Sequence, residues 1–266
     1  MPRIKRSDAE ERLAGAAGPE FLEALARGLR IIQTFGQDRR QLSLSDIAKL
    51  VDLPRASVRR TLHTLIHLGF AETDGRMFRL TPKVMTLAGA YLLSNPVSNI
   101  LQPALERLSA DLNEACSAAV LDGEDMVMIA HAAPPRVLQL GGQIGLRLPA
   151  ISSSLGRILL ASLDDNQLSD ILARSTPKQL TPHTVTDKAA LCRVILKARD
   201  DGYSLVDQEV EPGFRSISVA LRRIDGKAVG SLNVGAHTER APLTLMRDRF
   251  LPKLQRLARE LQPQLI

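Results

Sequence analysis

With 266 residues, 44% of them apolar, the chain is long enough for two folded domains with real cores. Aromatic residues make up only 3% and Trp is absent, which argues against stacking single-stranded nucleic acid on aromatic platforms. The net charge of +6 is unevenly placed: residues 1–95 carry +5 and residues 96–266 only +1, and the segment 39–83, with nine basic and four acidic residues, matches the whole N-terminal excess. Two cysteines, Cys116 and Cys192, are too few for a disulfide framework and read as packed apolar residues. No signal peptide or long apolar run appears, so a soluble, cytoplasmic protein with no membrane partner is expected.

In chain order, residues 1–18 are polar with a basic start (Arg3, Lys5, Arg6) and read as a flexible arm, one that could touch phosphates or simply be solvated. Phe21–Phe35 predicts a helix whose stripe, Leu22, Leu25, Leu29 and Ile32, should pack under the two helices that follow. The next stretch, SLSDIAKLVDLPRASVRRTLHTLIHLGFAETDGRMFRL over Ser43–Leu80, carries most of the information. Ser43 and Asp46 stand at capping-box spacing, with Asp in place of Glu. Leu44, Ile47, Ala48 and Val51 form one helical stripe, Asp52-Leu53-Pro54 breaks it, and a second helix runs to about Leu68 with Val58, Leu62, Leu65 and Ile66 inward.

The outward face of that second helix holds Ala56, Arg60, His63 and His67, flanked by Ser57, Arg59 and Thr64. No acid lies between Arg55 and Leu68, whereas a solvated helix face usually carries both signs. Asp74-Gly75 between Ala71–Thr73 and Phe78–Leu80 signals a hairpin. Helix, turn, helix and hairpin make a winged helix-turn-helix, whose second helix enters the major groove of double-stranded DNA. Arg60 and Ser57, near the helix start, are candidates for reading base edges, with Ala56 and His63 on the same face. Arg55, Arg59 and Arg76 are candidates for phosphates. His63 and His67 share a face at metal-binding spacing, but that face is the one expected to meet DNA, so no metal is assigned.

Thr81-Pro82 starts a further helix ending near Leu93. The expected organisation is thus an arm at 1–18, a DNA-binding domain at 19–80, a linker helix at 81–95 and a second domain at 96–266. The second domain predicts a helix from about Val97 to Glu114 and strands at Cys116–Leu121 and Met126–His131. A short strand follows at Val137–Leu140, then a helix from Leu155 and helices at Asp165–Arg174 and Asp187–Asp201. Strands at Tyr203–Asp207, Ser216–Leu221 and Ala228–Val234 and a helix at Leu243–Leu261 complete it. Antiparallel hairpins with flanking helices give an α+β fold.

The last hairpin is the most informative part of this domain. Asp225-Gly226 read as a two-residue turn puts Ser218 opposite Asn233, Ser216 opposite Gly235 and Ala220 opposite Ser231, all on one face. The other face, Ile217, Val219, Leu221, Leu232 and Val234, is ordinary core. Small neutral polar groups suit a lined cavity. Ser152, Ser153 and Ser154 precede Leu155 and Gly156 at a helix start, where free N–H groups and the helix dipole favour a carboxylate. Asp207, with Glu209, could bond ligand hydroxyls or be a solvated surface acid. A monoanionic hydroxybenzoate-like acid fits these features better than a nucleotide, sugar or neutral lipid. No nucleophile elbow, phosphate-binding loop, dinucleotide fingerprint or zinc spacing is present, so no cofactor and no catalysis are expected. The rival reading is an enzyme acting on a small carboxylic acid, with the helical N-terminal region as an oligomerisation module.

From about Phe21 onward the chain resembles the IclR family of bacterial transcription regulators. The resemblance rests on GLRIIQTF, LSLSDIAKLVDLPRASVRRTLHTLIHLGF and FRLTPKVMTLAGAYL in the first half. In the second half it rests on LPAISSSLGRILLA, on Asp187, Leu191 and Val194 ahead of Asp201-Gly202-Tyr203, and on VDQEVEPGFRSISVALRR and SLNVGAH. The last two most resemble the PcaR/PobR branch. The resemblance implies a winged helix-turn-helix, a linker helix and a GAF/profilin-like effector-binding domain. It further implies dimers or dimers of dimers, operator DNA and RNA polymerase as candidate partners, and control of aromatic-acid catabolism. It also implies effector contacts at Ser154, Leu155, Ser216, Asn233 and Gly235. The triple serine departs from the Ala, Thr or Gly common in the family.

Overall fold

The computed structural model describes residues 18, 20–36, 38–94, 96–135 and 142–265. It divides into two units, Met1–Tyr91 and Leu92–Ile266. The N-terminal arm up to residue 17 and the short strand expected at Val137–Leu140 lie outside the described residues.

In the first unit, helix α1 (Glu23–Ile32) is followed by strand β1 (Leu42–Ser43), helices α2 (Leu44–Val51) and α3 (Arg55–His67), and the hairpin β2 (Ala71–Thr73) and β3 (Met77–Leu80). The strands form an antiparallel sheet in the order β1-β3-β2. Two residues are too few to leave a periodic signal, so β1 is not visible in the sequence. Ser43 serves twice. Its backbone pairs with Met77, and its side chain caps α2 by accepting the Asp46 N–H at 3.2 Å. Asp46 accepts the Ser43 hydroxyl at 2.6 Å, so the shorter acid closes the box through the hydroxyl. That bond holds the Asp46 carboxyl below its usual range. Asp52 ends α2 in the left-handed conformation (φ 52°), which Asp tolerates better than most residues, and Pro54 caps α3.

The α1 stripe differs from expectation. Ile31 is fully buried and Ile32 and Phe35 pack against the core, but Leu22, Leu25 and Leu29 are 69%, 61% and 48% exposed. Leu25 and Leu29 line an open groove of about 870 Å³ beside α3, with Ile32, Leu65 and Leu68. Periodicity identifies an apolar stripe and is silent on what covers it. Here Gly28 faces Thr61 of α3, Ile31 turns inward and the leucines stay outside.

A 3₁₀ turn (Pro82–Val84), capped by Thr81, leads into α4 (Met85–Ser94), which spans the boundary between the units. The second unit comprises α5 (Pro96–Leu112), β4 (Ala115–Asp122), β5 (Asp125–Ala132), β6 (Arg147–Pro149), α6 (Ser154–Leu160), α7 (Asp165–Arg174), α8 (Lys188–Asp201), β7 (Ser204–Asp207), β8 (Phe214–Arg222) and β9 (Ala228–His237). The predicted C-terminal helix is a turn (Leu243–Leu245), a π-helical stretch (Met246–Phe250) and α9 (Leu251–Leu261). Pro252, with no N–H to donate, sits in the first turn of α9 just after the π stretch.

The six strands are antiparallel in the order β6-β5-β4-β9-β8-β7. On one face Ile217, Val219, Leu232 and Val234 bury against Leu101 and Leu105 of α5 and Leu254 of α9. The opposite face meets α6, whose outer side packs in turn on α7 and α8 through Ile158, Leu160, Ile171 and Ile195. Truncating a fully buried residue such as Leu232 to Ala would cost about 2–5 kcal/mol.

The β8–β9 register is as expected: Ser216 pairs with Gly235, Ser218 with Asn233 and Ala220 with Ser231. The turn is not. Arg223 and Lys227 close a three-residue loop in which Gly226 is left-handed (φ 85°), and a one-residue irregularity near Val229 follows. The longer loop and the bulge offset each other, so the strands below fall where a two-residue turn would have put them.

Candidate functional site

Two groups of residues stand out. On α3, Arg55, Ala56, Arg59, Arg60 and His63 are exposed and Ser57 is half-buried. Val58, Leu62 and Leu65 anchor the opposite side of the helix. At the wing tip, Asp74 accepts the N–H groups of Arg76 and Met77 at 2.8 and 2.7 Å, which turns the chain and leaves Arg76 exposed. The same bonds hold the Asp74 carboxyl below its usual range. Among the described residues, Arg55, Arg59, Arg60 and Arg76 make no ion pair. Other cations of this unit are engaged: Arg79 pairs with Glu72, and Lys83 bonds the Leu68 carbonyl at the end of α3. The helix face and wing thus present four unpaired guanidiniums, where phosphate and base contacts are made.

In the second unit a cavity of about 140 Å³ opens between β4, β5, β8, β9 and the start of α6. Met126, Met128, Leu146, Leu148, Leu155 and Phe214 give it apolar walls. Its polar side is a row across four strands. Ser218 pairs with Asn233, Asn233 with Ser117, and Ser117 with His131. Asn233 Oδ1 accepts the Ser117 N–H at 3.1 Å, and since only the carbonyl oxygen can accept, the amide NH2 is left as a donor. Ser117 Oγ lies 3.0 Å from His131 Nδ1. The Ser218 hydroxyl donates to Ser154 at 2.6 Å, and the Ser154 and Ser216 hydroxyls are 2.7 Å apart. Ser154 accepts from Ser218 and shares one proton with Ser216; where Ser154 is the donor of that bond, the Ser216 proton is left for the cavity.

Of the residues proposed from sequence, Ser153, Ser154, Leu155, Ser216, Asn233 and Gly235 line this cavity. Ser218 stands one step behind, as donor to Ser154. Ser152 is buried in a 3₁₀ turn (Ala150–Ser152) outside the lining. Gly156 packs against Ala150, where a Cβ would stand 2.2 Å from a carbonyl oxygen; the position holds α6 against the turn before it. Asp207 pairs with Arg215 at 2.9 Å and lies outside the lining. Glu209 makes a buried bidentate pair with Arg157, 2.7 Å on both oxygens, and also accepts the Val185 N–H. It thereby ties α6 to the loop that brings Val210, Glu211 and Phe214 over the cavity. The helix-terminal anion site is reduced, since α6 has seven residues and Ser153 caps the Gly156 N–H at 3.0 Å.

Ser117, Met126, Met128, His131, Gly142, Val210, Glu211 and Phe214 were not singled out from the sequence as cavity residues. The alternation of β4 and β5 is readable, but which face meets α6 depends on the long-range β4–β9 pairing, for which no local signal exists. Elsewhere, Cys116 is buried and its thiol is pushed up to about 12 by that burial, with Glu114 adding to it. Among the described residues no three His, Cys, Asp or Glu side chains come together to hold a metal, and no helix is long and apolar enough to cross a membrane.

Comparison with known proteins matches residues 24–75 to the IclR helix-turn-helix domain and residues 89–262 to the family described as bacterial transcriptional regulator IclR C-terminal. The Pca regulon regulatory protein of Pseudomonas putida is 42% identical over 265 residues, covering 99% of this chain and 91% of the relative. An IclR transcriptional regulator of Alicyclobacillus acidocaldarius has the same fold, with a TM-score of 0.82 at 21% identity over 92% of this chain and all (100%) of that one. A double mutant of the PobR inducer-binding domain from Acinetobacter, crystallised with 3-hydroxybenzoic acid, superposes with a TM-score of 0.59 at 31% identity, covering 62% of this chain and 97% of that one. These are regulators, and none supports reading the second unit as an enzyme. The first unit binds DNA, the second is the effector-binding domain of a ligand-responsive regulator, and the chain belongs to the IclR family of bacterial transcriptional regulators.

Proposed function

We propose that the effector is a hydroxylated aromatic monocarboxylate and that the regulator controls genes for the breakdown of such an acid. The observation that carries this reading is the cavity beneath α6. Its volume of about 140 Å³ suits one substituted ring and is well below the roughly 300–1,000 Å³ of drug-sized ligands. Methionine, leucine and phenylalanine side chains would hold the ring, while the Ser216 hydroxyl and Asn233 amide offer hydrogen-bond donors to its oxygens. The named ligand and regulon of two relatives support the same class. Ser153, Ser154, Leu155, Ser216, Asn233 and Gly235 are the proposed contacts. Arg60 and Ser57 are the proposed base readers, and Arg55, Arg59 and Arg76 hold phosphates. The chain acts in the cytoplasm, where a bacterial regulator meets its operator.

The active species is a dimer. The uncovered leucine stripe of α1 supports this, and two reading heads match half-sites one helical turn apart. Effector binding shifts the population between arrangements of the two heads, with α4, which spans the unit boundary, as the connection. Thermal-shift titration with 4-hydroxybenzoate, 3-hydroxybenzoate, protocatechuate and their amides tests the effector class. An acid at about 100 times its Kd should stabilise the effector-binding unit by about 2.7 kcal/mol. Acids and amides that stabilise equally would overturn the carboxylate reading.

A further inference from the structure

We infer that His131 takes the effector's carboxylate, and does so as an imidazolium, so that the effector enters with uptake of one proton. This rests on the acid effector proposed above. A carboxylate moved from water into a small, largely apolar cavity needs a counter-charge. The described cations around the cavity are already committed: Arg157 to Glu209, Arg215 to Asp207, Arg147 to Asp122 and Asp125, and Arg240 to Glu114. No described Arg or Lys lines it, and Glu211, the one described acid in the lining, repels an anion.

Among the described residues His131 is the remaining basic group in the lining. It stands at the end of the polar row, Nδ1 held by Ser117, and among the described residues Nε2 has no protein partner. Gly142 lies close over the ring, where a Cβ would be 2.4 Å from Cε1, so a side chain at that position would displace the imidazole. Among the described residues its neighbours along the row are uncharged, Ser117 on β4 and, one strand further, Asn233 on β9. From α5, Gln102 bonds the His131 carbonyl and separates it from the exposed Glu106.

Burial holds the free imidazole below its usual range, so the empty protein carries it neutral at pH 7. A carboxylate beside Nε2 raises that pKa in the complex. Between the two values one proton is bound with the acid, and affinity falls about tenfold for each unit of rising pH. Below the free value His131 is already charged and the dependence vanishes.

Isothermal titration of the full-length protein with 4-hydroxybenzoate in phosphate and in Tris, buffers of different ionisation enthalpy, counts the protons. Wild type should take up about one near pH 7. His131→Gln should take up none, bind the acid at least tenfold more weakly, and bind 4-hydroxybenzamide like wild type. Acid binding without proton uptake in wild type overturns the assignment, as does uptake that persists in His131→Gln. Should that variant fail to melt cooperatively, the wild-type proton count and pH profile decide alone. If none of 4-hydroxybenzoate, 3-hydroxybenzoate and protocatechuate binds wild type, the acid-effector reading falls and His131's role with it, a result distinct from binding without a proton.

Discussion

Asn233 joins two functions in one amide: its oxygen ties β9 to the Ser117 N–H of β4, and its NH2 is left as a donor at the cavity. Replacing it by Leu keeps the branched shape, removes the donor, and leaves one backbone N–H unpaired at a cost of about 1–3 kcal/mol. Asn233→Leu should therefore weaken acid binding while the empty protein still shifts operator DNA; a variant with unchanged affinity in thermal-shift titration would remove Asn233 from the site. Glu209 behaves differently, because its charge is buried against Arg157 and not offered to a ligand. Glu209→Ala leaves that guanidinium uncompensated and should cost about 3–5 kcal/mol in a denaturant melt. Arg60 is the residue with most at stake on DNA. If it is bidentate to guanine, Arg60→Ala loses about 1–3 kcal/mol on the specific site and relaxes one base preference. A footprint as tight as wild type would exclude this helix as the reader. At this scale the serines of β8 and Asn233 were legible because a hairpin register is local. His131 and Ser117 were not, since the strand pairing that faces them into the same cavity joins residues more than a hundred positions apart. Asp207 and Glu209 were ambiguous for another reason: an acid after a strand looks the same whether a ligand or an arginine is waiting for it.

Among elements, α1 is the one whose pattern pointed to the wrong neighbour. Its leucines have the spacing of a core stripe, yet Leu25 is 61% exposed in a single chain. A substitution there touches little of the folded monomer, so Leu25→Lys should change its stability by no more than about 0.5 kcal/mol. If the stripe is the dimer contact, the same change should shift sedimentation toward monomer and weaken operator binding, because two half-sites would no longer be held by one particle. A variant that stays dimeric and binds DNA normally would place the contact elsewhere. Helices α2, α7 and α8 were readable because caps and stripes agree: Ser43, Asp164 and Asp187 each accept the N–H three residues on. β6 and β1 were not, being three and two residues long. The C-terminal helix was seen as one, and the π-helical stretch beside Pro252 is a backbone detail that side-chain periodicity does not register.

At the scale of the whole molecule, charge and chemistry are divided between the two units. The basic excess, the exposed arginines of α3 and the wing belong to the first; the six-stranded sheet, the cavity and the polar row belong to the second. Among the described residues none lining the cavity comes from before Leu92, and the large core of the second unit, from Leu101 to Leu265, is drawn from its own strands and helices. Effector binding by the second unit alone is therefore the expectation. A fragment of residues 92–266 should fold cooperatively and bind 4-hydroxybenzoate-type acids with the affinity of the full chain, while showing no salt-dependent DNA shift. In the full chain, replacing any one of Arg55, Arg59 or Arg76 should reduce the slope of log affinity against log salt by about 1 and leave acid binding untouched. Calorimetry on the fragment and salt titrations on the intact protein separate the two functions. A folded fragment without affinity for an acid that the intact protein binds would mean that the reading head completes the effector site, and the division between the units would have to be abandoned.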